Sequence, residues 1–155
     1  MNGPLSGRRL LLIGPGYVAR AVAAGVRAQG GHVAATLRDP SRAAELQAQG
    51  IDAVALSPQA LEGVTDLLIS APPGPEGCPA LAALGPLPEG LRWIGYYSST
   101  AVYGDCGGDW IDEARALAPR TADARGRVVA EAAWREAAAR AGAAVTSTEA
   151  ATMAV

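Results

Sequence analysis

The sequence contains no lysine; all 13 of its basic residues are arginine. That excludes a Schiff-base amine, a phosphate-gripping P-loop lysine and a lysine acid/base. Half of the residues are hydrophobic, but alanine dominates them, phenylalanine is absent and aromatics make up 5%. Leu, Ile and Val must therefore supply the bulk of any core. A single histidine, His32, cannot build a metal site alone and reads as the start of a strand. Cys78 and Cys106 lie far apart without a CxxC, so free thiols are expected and neither is placed for metal. A strong charge of one sign is missing too. The net charge of −2 and pI near 5.4 leave no basic footprint for nucleic acid or an anionic membrane. No apolar run approaches the ~20 residues of a membrane span, and no stretch reads as a signal peptide. A cytoplasmic chain is expected.

What is present is organised around Leu10-Leu11-Leu12-Ile13-Gly14-Pro15-Gly16-Tyr17-Val18-Ala19-Arg20. An apolar run stops at a Gly-x-Gly pair and a helix-compatible stretch begins at once, the context that a dinucleotide-binding glycine motif requires. Gly14 lets the chain turn sharply, and Gly16, without a Cβ, leaves room for a pyrophosphate to approach the backbone. Ala19 is the small third residue that lets the helix pack close to the strand. The first helical residues, Tyr17 and Val18, would present backbone N–H groups and the positive dipole end to phosphate. A lone GxGxxA also serves purely steric strand-to-helix turns, so the rest of the chain has to support the reading.

The pattern predicts alternating strands and helices in one domain of 155 residues. Strand one runs to Ile13, and a helix over 17–29 repeats Val18, Val22 and Val26 on one face. Further strands are expected at 32–37, 51–56, 65–70 and 91–97, with strand six beginning at 143–146. A turn at 38–41 with Ser41 as N-cap leads into a helix over 42–49, and later helices are expected at 80–84 and 124–141. Residues 98–120 read as irregular, and Trp110 and Trp134 as packing residues. Short apolar strands without clean alternation suit a parallel sheet covered on both faces. The fold class is therefore α/β, a doubly wound Rossmann sheet of order 3-2-1-4-5-6, with ligand at the carboxyl ends where the order reverses.

The position about 20 residues past the glycines selects the nucleotide, a carboxylate there holding the ribose 2′-hydroxyl of NAD. Here Thr36 and Leu37 occupy it and Arg38 follows. A guanidinium at that place can grip a 2′-phosphate through two charge-assisted bonds. The bland alternative is a solvated loop arginine, with or without a pairing to Asp39. The residues favour NADP over NAD.

Ser98-Ser99-Thr100-Ala101-Val102-Tyr103-Gly104 follows strand five. With the glycine motif, Ala71-Pro72-Pro73 after strand four and Gly108-Asp109-Trp110-Ile111-Asp112-Glu113, it resembles the extended and atypical short-chain dehydrogenase/reductase superfamily, NAD(P)-dependent epimerase/dehydratase-like. The resemblance covers residues 8–146. It implies cofactor contacts from Gly14, Gly16, Tyr17, Val18, Ala19, Arg38, Ala71, Pro72, Ser98 and Arg127. It also implies a catalytic hydroxyl at Ser99 and hydride transfer between NADP(H) and a carbonyl or alcohol substrate. The superfamily's YxxxK pair aligns, with Glu131 anchoring the register, on Asp123 and Arg127. Arg127 keeps a positive charge for the ribose. Asp123, a carboxylate, is no phenol-like acid. Tyr103 is the nearest remaining phenol in sequence and the remaining candidate acid, at a position that in the superfamily is mainly structural; with Ser99 and Arg127 it makes up the expected catalytic set.

Relatives of this kind run on into a further strand and a substrate-binding region, whereas residues 147–155 depart from that pattern. A truncated, frameshifted or remnant product is expected, with strand six at an exposed edge open to self-association. Three readings follow: an NADP-dependent oxidoreductase or epimerase-like enzyme; a catalytically impaired NADP(H)-binding module; and a β-hydroxyacid dehydrogenase-like domain, against which SSTAVYG argues.

Overall fold

A computed structural model describes residues 3–149. The carboxyl-terminal part of the divergent tail, from Ala150 on, lies outside the described residues. Ten elements form the frame: β1 (Arg9–Ile13), α1 (Tyr17–Ala28), β2 (His32–Thr36), α2 (Ala43–Ala48), β3 (Asp52–Val54), β4 (Asp66–Ile69), α3 (Pro79–Leu84), β5 (Trp93–Ser98), α4 (Ala122–Ala141) and β6 (Ala144–Glu149). Short 3-10 turns stand at Pro40–Arg42, Pro58–Leu61 and Thr100–Tyr103.

The six strands pair parallel in the order β3-β2-β1-β4-β5-β6, as the sequence predicts. Side chains alternate across a strand, so each apolar run feeds both faces of the sheet. In β1, Leu11 and Ile13 join Leu67, Ile69, Ile94, Tyr96 and Trp134 on the face covered by α3 and α4. Leu10 and Leu12 join Val33, Ala35 and Leu68 on the face covered by α1 and α2. This is why the strands read as unbroken hydrophobic runs rather than alternating ones.

Several details differ from the sequence reading. On α1 the fully buried residues are Ala19 and Ala23, with Val22 and Val26 half-buried and Val18 exposed. A helix lying tight on the sheet through alanines leaves the bulkier valines at the flank. Ser41 is not the N-cap: the Asp39 carboxylate accepts from Ser41 N (3.0 Å) and Ser41 Oγ (2.7 Å), capping the 3-10 turn that precedes α2. Trp134 is wholly buried, but Trp110 is 89% exposed, because the irregular segment carrying it lies outside both core clusters. The last helix starts at Ala122, where Thr121 Oγ1 accepts from Ala124 N at 3.1 Å, a side-chain N-cap. Residues 7–9 are fastened to the sheet by Arg8, which grips the buried Asp66 of β4 through Nε (2.6 Å) and Nη2.

Candidate dinucleotide site

The site begins where β1 ends. Gly14 has φ of +84°, and a Cβ there would stand 2.9 Å from the Ala71 amide nitrogen. Both facts require glycine, since left-handed backbone and close approach each penalise a side chain. Ser70 N and Ala71 N both donate to the Ile13 carbonyl, at 2.9 and 2.8 Å, and so hold the ends of β1 and β4 together. Gly16 is a different case. Its φ is −72° and an added Cβ would meet only Ser70 Oγ, at 3.4 Å. The protein's own packing hardly demands a glycine there, and the space left by the missing side chain borders a cleft.

That cleft, about 360 Å³, lies at the carboxyl ends of β1, β2 and β4, where the strand order reverses. Gly14, Gly16, Arg38, Ala71 and Pro72 line it, together with Thr36 and Leu37. The helix start beside it has no side-chain cap and no acidic residue in its first turn. Uncapped N–H groups and the positive dipole end at the rim fit an anionic group. Tyr17 and Val18 are exposed in that first turn, and Ala19 is buried beneath it.

Arg38 is exposed on the cleft wall and makes no ion pair among the described residues. The bland pairing with Asp39 is not formed, because Asp39 is engaged by Ser41, whose hydroxyl and backbone N–H hold its carboxyl below the usual range. Sequence reasoning missed Arg42, Leu56 and Cys78, which also line the cleft. Arg42 had a detectable signal, an arginine one turn past Arg38; Cys78 had none, since only the fold brings the segment after β4 beside the glycine turn.

The other expected site residues gather at the end of β5 and do not line this cleft. Ser98 is buried, its Oγ donating to Glu131 Oε1 under α4, and Glu131 also accepts from Arg135 at 3.1 Å. Ser99 opens the 3-10 turn and accepts from Ala101 N at 3.2 Å. Tyr103 closes that turn and is buried. Arg127 sends Nη1 to the Tyr97 carbonyl (3.4 Å) and Nε to Asp123 (3.2 Å), so the residues aligned with YxxxK form an i, i+4 ion pair. Among the described residues no cluster of His, Cys, Asp or Glu could hold a metal, and no helix is long and apolar enough to cross a membrane.

No protein-family model and no curated protein matches this sequence. Solved structures do. The chain is 38% identical to a functionally unknown conserved protein from Silicibacter pomeroyi, TM-score 0.78, over 89% of this chain and 52% of that one. A short-chain dehydrogenase/reductase superfamily protein from Agrobacterium tumefaciens, with bound NAD, matches at 23% identity and TM-score 0.65 over 92% of this chain and 48% of that one. The UDP-glucuronic acid 4-epimerase of Bacillus cereus, in complex with NAD, matches at 12% and TM-score 0.70 over 91% and 56%. The fold is the doubly wound Rossmann sheet that these structures share. The chain spans about half the length of these structures, the half that contains a Rossmann sheet.

Proposed function

We propose that this chain binds NADP(H) in the cleft at the ends of β1, β2 and β4. The observation that carries the reading is Arg38, unpaired on the cleft wall beside an uncapped helix N-terminus and a glycine turn open to the cleft at Gly16. The glycine turn and the start of α1, at Tyr17, Val18 and Ala19, take the pyrophosphate, and Ala71 and Pro72 border it. Arg38 holds the 2′-phosphate, while Asp39, which also lines the cleft, has one carboxylate oxygen, Oδ1, engaged by Ser41. When bound, the nicotinamide would supply or accept a hydride at a carbonyl carbon. At the end of β5, Ser99 donates to the substrate oxygen, and Ser98 and Arg127 border the nicotinamide ribose.

Arg38→Ala is the test. A charged hydrogen bond is worth about 1.5–3 kcal/mol, so NADPH binding should weaken roughly ten- to a hundred-fold and NADH binding hardly change. Equal losses for both nucleotides would sink the 2′-phosphate role.

A second reading, binding without turnover, is favoured by the Asp123–Arg127 pair, which stands where the superfamily keeps its proton relay. Nicotinamide fluorescence reports binding, and loss of NADPH absorbance with a panel of aldehydes, ketones and nucleotide sugars reports chemistry. Turnover that survives Tyr103→Phe but not Ser99→Ala supports the enzyme reading with Ser99 as the essential hydroxyl. Binding with no turnover on any compound supports the module.

A further inference from the structure

An arginine that lines the cleft and one that braces the glycine turn share a single carboxylate. Arg20, in the first turn of α1, donates from Nε to the Pro15 carbonyl at 3.0 Å and so braces the glycine turn. Its Nη1 pairs with Glu45 Oε1. The other oxygen, Glu45 Oε2, accepts from Arg42 Nε at 3.2 Å. Arg42 lines the cleft on the same wall as Arg38, one 3-10 turn further on. Glu45 therefore engages both arginines at once, and their hydrogen bonds, Arg20's the stronger, hold its carboxyl below the usual range. A carboxylate in this corner is not what simple attraction of a phosphate would place there.

We propose that Glu45 is a negative determinant of nucleotide choice: it engages Arg42 in the free protein, and only a 2′-phosphate draws that arginine away. The proposal rests on the reading of the cleft as an NADP(H) site and names a regulator of that same site. The Arg42–Glu45 pair is about half exposed at both ends, with side chains at 48% and 46%, and such pairs are weak. A dianionic phosphate already held by Arg38 presents a stronger bidentate partner. Arg20 keeps Glu45 in place after the exchange, so the carboxylate stays as a residual repulsion. Specificity is a difference of affinities, and a built-in competitor lowers one affinity without touching the other. NADH offers no group at this corner to compete for Arg42.

The test is a double-mutant cycle on the full chain, with NADPH and NADH dissociation constants read by nicotinamide fluorescence for the native chain, Glu45→Gln, Arg42→Ala and the double variant. Glu45→Gln is nearly isosteric at an exposed site, so the fold should stand, and a thermal melt checks it. The expected result is tighter NADPH binding in Glu45→Gln, by about three- to ten-fold, with NADH changed less than about two-fold. In the Arg42→Ala background the gain should shrink to below about two-fold. Unchanged or weaker NADPH binding in Glu45→Gln, or a gain that persists without Arg42, overturns the proposal. The two ideas fail differently. A native chain that binds NADH as well as NADPH overturns the cofactor reading and this proposal together. A native preference for NADPH that Arg38→Ala removes and Glu45→Gln leaves alone overturns this proposal only.

Discussion

Tyr96 carries a fully buried phenol whose hydroxyl has no hydrogen-bond partner among the described residues. Burial pushes its pKa up from 10.0 to about 12, and the nearby Arg127 charge pulls the other way. The fold accepts the neutral phenol and disfavours the phenolate. The folded pKa lies above the unfolded one, so this contribution to stability is intact below pH about 10 and is lost as pH rises through about 12. Tyr96→Phe removes an unsatisfied polar atom at nearly constant volume. The variant should be at least as stable as the native chain at neutral pH, and its stability should fall less steeply above pH about 10. Chemical denaturation across that range, with tyrosinate absorbance as a second signal, checks this. Some slope should remain, because burial raises Tyr97 as well. A Tyr96→Phe chain as alkali-sensitive as the native one would show that other groups govern the alkaline limb.

At the scale of elements, α4 shows how packing can reverse a propensity. Gly126 sits in the second turn of this helix, where alanine is favoured by about 1 kcal/mol over glycine. A Cβ at Gly126, however, would stand 2.7 Å from the Gly74 carbonyl oxygen, in the turn that follows β4. Overpacking against backbone costs about 1–3 kcal/mol, and the clash should win. Gly126→Ala is therefore expected to be destabilised by about 1–2 kcal/mol in urea unfolding. A stabilised variant would mean that the 74–77 turn yields readily and that helix and turn are only loosely packed. The same contact explains why Asp123 and Arg127 lie where they do: the helix is held close to the β4 turn, and Arg127 reaches the Tyr97 carbonyl of β5.

For the molecule as a whole, stability is divided between the two faces of the sheet, and the faces are unlike. The α1–α2 face is built largely from Leu, Val and Ala. The α3–α4 face adds the large aromatics Tyr96, from β5, and Trp134, from α4. In a chain without phenylalanine, truncating the one buried tryptophan among the described residues leaves a hole that no neighbour can fill. Trp134→Ala should cost about 3–5 kcal/mol, a large share of the roughly 5–15 kcal/mol typical of a domain. A lowered melting temperature with loss of cooperativity is the expected readout. A loss below about 1 kcal/mol would mean that the second face carries little of the stability.

The sequence by itself determined the alternation of strands and helices, the glycine turn and the strand order, because apolar runs, Gly-x-Gly and right-handed crossovers are local or topological constraints. Thr36, Leu37 and Arg38 were legible for the same reason: they stand at a fixed distance beyond the glycines. Only the tertiary structure decided which residues share the cleft. Arg42 and Cys78 come from separate connections that meet at the switch point, and the Arg20–Glu45–Arg42 chain spans two helices and a turn. It also decided that Asp39 caps a turn instead of pairing with Arg38, that α1 rests on alanines, and that Trp134 is core while Trp110 is bare. Those outcomes depend on distances between segments remote in the chain. A pattern along one segment carries no record of them.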